Sequence, residues 1–520
     1  MKKTLILSLT ILSAITLSAQ VWKADLGNGN YQNPILYADY SDPDVCRVGN
    51  DFYMTSSSFN CVPGLQIMHS QDLIHWEMIG AALPTALPGT EGFEAPQYGG
   101  CVWAPSIRYH NGAFYIYYGD PDRGIFMLRT NDIHGRWDKP VLVKAGKGMI
   151  DPCPLWDTDG RVYLVHAYAG SRAGLKSVLA VMELDSTGTQ VLQDSRIIYD
   201  GHRDNPTIEG PKFYKRNGYY YIFAPAGGVK KGWQLALRSS SVYGPYETKV
   251  VLSQGETAIN GPHQGAWVDT EAGENWFLHF QDAGIYGRIV HLQPMKWESD
   301  WPVIGKYGTP VTQYKKPALA NSANIGYIAE SDEFDSATLG WQWQWASNIN
   351  PQWYFCDAKD GYLRLFSYYS PLTETPNILL QKFPAPDFQV TTRMRFSPSP
   401  KHKGEQAGLI LDGPKPAYMV MKNLADGIVL SFKAESYNMA LISVKPDSWV
   451  YLRMQCKDGG QCIFSYSTDG KKFKTINIPI QAVGRDWIGA KMGLFCTRAA
   501  EGKNDGGWLD VDYWHVEPLK

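Results

Sequence analysis

Five times between residues 49 and 279, a turn of Gly, Asn or Asp is coupled to a run of aromatic and β-branched residues. The copies read Gly-Asn-Asp-Phe-Tyr-Met-Thr (49–55), Asn-Gly-Ala-Phe-Tyr-Ile-Tyr (111–117) and Asp-Gly-Arg-Val-Tyr-Leu-Val (159–165). They continue as Asn-Gly-Tyr-Tyr-Tyr-Ile-Phe (217–223) and Gly-Glu-Asn-Trp-Phe-Leu-His (273–279). Asn-Gly and Asp-Gly accept the positive φ that a tight hairpin demands, so each copy predicts a β-hairpin. The spacing of roughly 45–60 residues is propeller-blade length. Further strands are expected after the hairpins, among them Asp72–Trp76 and Val242–Tyr246. Few segments carry a helical period. The series predicts an all-β chain with a five-bladed β-propeller over residues 28–315. A plain β-sandwich fits this region less well, because the repeat is regular.

The pattern changes after Trp297 and Trp301–Gly305. A polar connector with Pro and Ala runs to about residue 329, and alternating strands then resume. They include Tyr362–Phe366, Phe388–Phe396, Ala407–Leu411, Ile428–Phe432, Trp449–Met454, Cys462–Tyr466 and Val511–Val516. These predict an antiparallel β-sandwich, jelly-roll or lectin-like, over 328–520. Such a domain either binds sugar or packs on the propeller and shapes its pocket. The second is the plainer expectation.

Residues 1–19 read as a signal peptide: Lys2 and Lys3, an apolar stretch from Leu5 to Leu17, then Ser18-Ala19 before Gln20. That run is short for a membrane span, and no Cys follows it to carry a lipid. The chain is therefore expected to be exported, periplasmic or secreted, with no membrane span. A net charge of −2 gives nucleic-acid binding no electrostatic support. The 8 Cys are too sparse for a disulfide framework in 520 residues, and no CxxC pair suggests zinc. Cys456 and Cys462 flank a turn and could be bridged across a hairpin. Burial as small side chains explains the cysteines equally well.

Candidate chemistry lies just before each hairpin. Ser41-Asp42-Pro43, Trp103-Ala104-Pro105, Asp151-Pro152, Glu209-Gly210-Pro211 and Gly261-Pro262-His263 recur at corresponding places in the five repeats. Equivalent positions in a propeller stand at one height around the axis. Asp42, Trp103, Asp151, Glu209 and His263 should therefore meet at one mouth of the channel. A lone Asp-Pro usually marks a turn; three carboxylates at matching positions are harder to assign to turns. Inverting glycosidic cleavage needs a carboxylic acid and a carboxylate base roughly 6.5–9.5 Å apart. A third carboxylate beside the acid would raise its pKa by like-charge repulsion.

These motifs resemble glycoside hydrolase family 43. So do Asn33–Asp44, Gly261-Pro-His-Gln-Gly265, Gly287-Arg288, His291-Leu-Gln-Pro294, Ser331–Asp335 and Trp341–Trp345. The likeness runs through nearly all of the chain after the leader, and is nearest to the two-domain branch of β-xylosidases and α-L-arabinofuranosidases. It implies Asp42 as general base, Glu209 as general acid, and Asp151 as the group that tunes and orients the acid. It also implies Trp103 as a wall of the sugar pocket and Arg288 as a donor to sugar hydroxyls. His263 is implied near the channel centre, as a substrate contact or as a ligand to a structural calcium ion. No cofactor is required. The first motif departs from the family's frequent Pro-Asp-Pro by carrying Ser41, which leaves the carboxylate in place.

The expected activity is exo-acting, inverting release of terminal α-L-arabinofuranose from fragments of plant cell-wall polysaccharide. The alternatives are a β-D-xylosidase on xylo-oligosaccharides, or an enzyme with both activities. A non-catalytic carbohydrate-binding propeller would be expected to have a broken carboxylate set, and this one is intact. A retaining fructan hydrolase would carry an Asn-Asp-Pro-Asn-Gly opening, which is absent.

Overall fold

A computed structural model describes residues 20–90, 95–319, 326–370, 375–498 and 505–519. The leader expected at 1–19 lies outside the described residues. The first half is a five-bladed β-propeller, each blade an antiparallel four-stranded sheet in chain order. Blade 1 comprises Asp44–Val48, Asp51–Thr55, Gly64–Ser70 and Glu77–Leu83. The later blades open with Trp103–His110, Met149–Trp156, Lys212–Arg216 and His263–Asp269. These opening strands of blades 1 to 4 lie side by side in order, and that of blade 5 adjoins blade 1. They therefore surround the axis.

Neighbouring blades press both faces together, so central strands are buried on both sides and read as continuous apolar runs. Ala113–Asp120 is buried along its whole length. Phe52 and Met54 of blade 1 share a cluster with Leu278 and Val290 of blade 5, which closes the ring. Asn30–Gln32 pairs with Gln313–Lys315 and fastens the two ends of the propeller together. Asn111 and Gly112, and Asn217 and Gly218, take positive φ at the hairpin tips, as their residue types require.

Two expected strands are turns instead. In 72–76 the Asp72 carboxylate accepts the Ile74 and His75 amides at 2.8 and 2.7 Å and folds the segment on itself. In 242–246 the Tyr246 hydroxyl donates back to the Val242 carbonyl at 2.8 Å.

The second half is a sandwich of two eight-stranded sheets. Its core holds Trp343, Trp345, Leu409, Met419, Leu452 and Trp514. It docks on the propeller through main-chain bonds between Val62 and Trp345 at 3.0 and 2.6 Å. Asn60 also donates to the Ala346 carbonyl at 2.7 Å. All eight cysteines are buried thiols, and Cys456 and Cys462 face each other across a hairpin. Among the described residues, no helix is long and apolar enough to cross a membrane.

Candidate active site

Each blade begins with one residue in the left-handed region: Asp42 (φ 54°), Ala104 (31°), Asp151 (56°), Gly210 (56°) and Gln264 (39°). Four of them precede proline and the fifth precedes Gly265. The strand ladder bulges at this step in three blades: between Trp103 and Ser106, Ile150 and Cys153, and His263 and Ala266. A non-Gly residue held there costs about 1–3 kcal/mol and persists only where its surroundings fix it.

This backbone mark corrects the equivalence expected from sequence. Asp42 and Asp151 correspond to Ala104, Gly210 and Gln264. Trp103, Glu209 and His263 stand one residue earlier, alongside Ser41 and Ile150. Successive side chains of an extended segment point to opposite sides, so the two sets approach the axis from different directions. What the blades share is the left-handed residue, followed in four of them by proline, and not the acidic or aromatic side chain near it.

Asp42 is 3% exposed and thoroughly partnered. One carboxylate oxygen accepts from the Arg288 guanidinium at 2.7 Å. The other accepts from the hydroxyls of Ser57 at 2.5 Å and Ser41 at 3.0 Å. Arg288 also donates to Ser41 at 2.9 Å, and its guanidinium lies 4.6 Å from the centre of the Phe280 ring. Ser57 is a bridge, because its oxygen accepts the Ala104 amide at 2.7 Å and so ties blade 1 to blade 2. Asp39 accepts the Arg288 amide at 3.0 Å and the Gly489 amide of the sandwich at 2.9 Å. The arginine that grips Asp42 is thus anchored from both domains.

Glu209 is different. Its side chain is 26% exposed, and one carboxylate oxygen lies 2.9 Å from Nε2 of the wholly buried His263. The His263 Nδ1 has no partner, which leaves Nε2 as the nitrogen that meets Glu209. Asp151 is 2% exposed and accepts the Gly210 amide at 2.7 Å, pinning the residue that follows Glu209. Burial first, then the Glu209 charge, pushes the Asp151 carboxyl well above the usual carboxylate range. Asp42 adds to the repulsion, while the Gly210 amide and Lys212 oppose it.

Trp103 is half-buried beside this mouth, its indole N–H donating to the Gly99 carbonyl at 2.8 Å. Its ring meets Trp487 of the sandwich edge-on at 5.2 Å, and the Arg172 guanidinium lies 5.7 Å from the centre of the Trp103 ring. The structure therefore gathers all six residues expected from sequence and adds Ser57, Asp39, Trp487 and Arg172. The Ser56-Ser57-Ser58 run was the only local signal for any of these four. Trp487 has no such signal, because it reaches the site from the other domain.

No group of three or more His, Cys, Asp or Glu side chains that could hold a metal ion is found among the described residues. Calcium prefers oxygen ligands, and His263 offers only nitrogen: its Nε2 meets Glu209 and its Nδ1 has no partner. A single imidazole without oxygen ligands grouped around it does not fit calcium.

A family model described as glycosyl hydrolases family 43 matches residues 31–302. A second, for the β-xylosidase C-terminal concanavalin A-like domain, matches 331–517. A Xylanibacter ruminicola protein with a provisional β-xylosidase name is 36% identical over 91% of this chain and 87% of its own. The non-reducing end α-L-arabinofuranosidase BoGH43B of Bacteroides ovatus is 31% identical over 75% of each chain. The crystal structure of xylan β-1,4-xylosidase from Bacillus halodurans C-125 superposes with a TM-score of 0.83 at 25% identity, covering 94% of this chain and 99% of that one. With two matched domains, whole-length relatives and three carboxylates at one propeller mouth, this chain belongs to glycoside hydrolase family 43 and is a glycoside hydrolase.

Proposed function

We propose that the enzyme removes single pentose units from chain ends with inversion, using Glu209 as acid and Asp42 as base. The observation that carries this reading is the unlike setting of the carboxylates. Glu209 has the open side chain and sits beside Asp151. Burial and then the Glu209 charge push the Asp151 carboxyl well above the usual carboxylate range, which places a retained proton beside Glu209. Delivery to the leaving oxygen falls to Glu209, because Asp151 is buried. His263 fixes the Glu209 carboxylate in direction. Asp42, fixed by Arg288 and two serines, accepts the proton of the attacking water from the other side of the sugar. Exo action follows from the Trp103–Trp487 contact, which walls one side of the mouth and makes it a pocket.

For the sugar we favour terminal β-D-xylose over the arabinofuranose expected from motifs, since most relatives carry β-xylosidase names. Arabinofuranose is the second reading and rests on BoGH43B. Xylo- and arabino-oligosaccharides are the proposed substrates, met outside the cytoplasm if the leader is cleaved. Hydrolysis of nitrophenyl β-D-xyloside and nitrophenyl α-L-arabinofuranoside should be compared side by side, with Asp42→Asn as control. A higher kcat/KM on the xyloside is expected. A higher value on the arabinoside would reverse the preference, and cleavage of neither would remove the pentosidase reading.

A further inference from the structure

A buried lysine crosses the propeller channel beneath the catalytic mouth. Lys212 opens the first strand of blade 4, three residues after Glu209, and is 0% exposed. Its ammonium donates to the Pro105 carbonyl of blade 2 at 2.8 Å and lies 3.9 Å from Oδ1 of Asp44 in blade 1. A side chain that leaves blade 4 and reaches blades 1 and 2 spans the axis that the opening strands surround. Taking an ammonium out of water is costly, and a neutral carbonyl offsets little of that cost. An apolar side chain of similar length would fill the same space without it.

The charges around the lysine do not cancel. Asp44 is buried, and its Oδ2 accepts the Ile107 amide at 2.7 Å and the Arg108 guanidinium at 2.5 Å. Its Oδ1 makes no hydrogen bond among the described residues. Two cations, Arg108 and Lys212, thus share one carboxylate, and Arg108 has the shorter contact. Two further groups meet Arg108. Cys153 is a buried thiol whose sulfur accepts from Arg108 at 2.9 Å and from the Phe213 amide at 3.2 Å. Tyr214, whose ring centre lies 5.1 Å from the Arg108 guanidinium, is kept protonated by burial. The Lys212 charge therefore falls on Asp151 of blade 3. Burial, Glu209 and Asp42 favour the protonated Asp151 carboxyl, whereas the Gly210 amide and Lys212 favour its ionised form. Between buried groups such a field is weakly screened.

We propose that Lys212 is a positioning residue for the reaction: its fixed charge acts through Asp151 and limits how strongly that carboxyl holds a proton beside Glu209. Asp44 is the counterweight, because it offsets part of the ammonium's charge from the opposite side of the channel. The cost of burying an ammonium here is then met by its effect on the acid. The proposal rests on the acid role given to Glu209 with Asp151 as its neighbour.

The pH dependence of kcat/KM on xylobiose, measured on the full chain, tests it. Lys212→Gln keeps a donor for the Pro105 carbonyl and removes the charge, so the alkaline limb should move to higher pH. Asp44→Asn removes the counterweight and should move the same limb to lower pH. In the double variant Lys212→Gln/Asp151→Asn the limb should stand where Asp151→Asn alone puts it, because the group through which the lysine acts is gone. A lysine that merely fills the channel would change kcat or Tm and leave the limb in place. A limb at the wild-type pH in folded Lys212→Gln overturns the proposal. Where that variant does not fold, an unmoved limb in Asp44→Asn overturns it. Equal shifts from Lys212→Gln with and without the Asp151 carboxyl would show the lysine acting on another group, and would overturn it too. Asp151→Asn by itself separates the two levels: if it moves the limb while Lys212→Gln does not, this proposal fails and the acid reading stands, and if neither moves it, both fail.

Discussion

Asp42 and Glu209 are the same kind of group at the same mouth, yet their surroundings differ at almost every point. Asp42 is sealed among a guanidinium and two hydroxyls that use both oxygens. Glu209 meets one imidazole, stands partly open, and has a buried carboxylate for a neighbour. One setting suits a fixed proton acceptor; the other suits a proton carrier that reaches its target. The difference teaches that the division of labour is written in the neighbours. In blade 1 these are serines and an arginine from blade 5, and in blade 4 an aspartate from blade 3 and a histidine from blade 5.

The most severe way to break this comparison is Asp42→Asn. Loss of the base should lower kcat by about 10⁴-fold on every substrate, whatever its leaving group, measured by steady-state hydrolysis. Glu209→Gln should be more selective. It should cost about 10²–10³-fold on xylobiose but under about tenfold on a dinitrophenyl xyloside, which leaves with little need of a proton. Equal losses on both would take Glu209 out of the acid role.

Asp151→Asn sharpens the comparison through pH. The substitution removes the buried carboxyl that keeps a proton beside Glu209, so the alkaline limb of kcat/KM should move to lower pH. The same change should raise Tm at pH 7. A carboxyl whose folded pKa is raised contributes stability below its unfolded pKa and loses it as pH rises through the folded value. At neutral pH the buried Asp151 is thus a burden that Asn relieves. Melting curves at pH 5 and pH 7 should show the larger gain at the higher pH. The smallest effect is expected of Ser57→Ala, about tenfold in kcat with KM unchanged, because it loosens Asp42 without touching the sugar.

Much of this was legible in the chain, and the reasons are local. The hairpins declare themselves because Asn111-Gly112 and Asn217-Gly218 are nearly obligatory for their turns. Asp42, Asp151 and Glu209 were found because each lies next to a proline step that every early blade repeats. The one-residue offset emerges only when the blades are aligned on the left-handed residue, and not on the acidic or aromatic side chain beside it. Strand 491–498 of the sandwich carries no alternation, because it is buried along seven of its eight residues between two neighbours. Trp487 and Asp39 gain their roles only when the domains dock, and that docking leaves no trace in local pattern. Arg288 was expected to serve sugar hydroxyls; one of its terminal nitrogens is spent on Asp42 and Ser41, a pairing between blades 1 and 5 that sequence spacing does not reveal.

The central claim is that Asp42 activates water and forms no bond to the sugar. Proton NMR during the first minutes of nitrophenyl β-D-xyloside cleavage tests it most directly, or of the α-L-arabinofuranoside if that is the better substrate. The account predicts that the inverted anomer appears first, α-xylose from the β-xyloside, and only later equilibrates. First release of the retained anomer would mean a covalent glycosyl-enzyme and would contradict the roles given to Asp42 and Glu209.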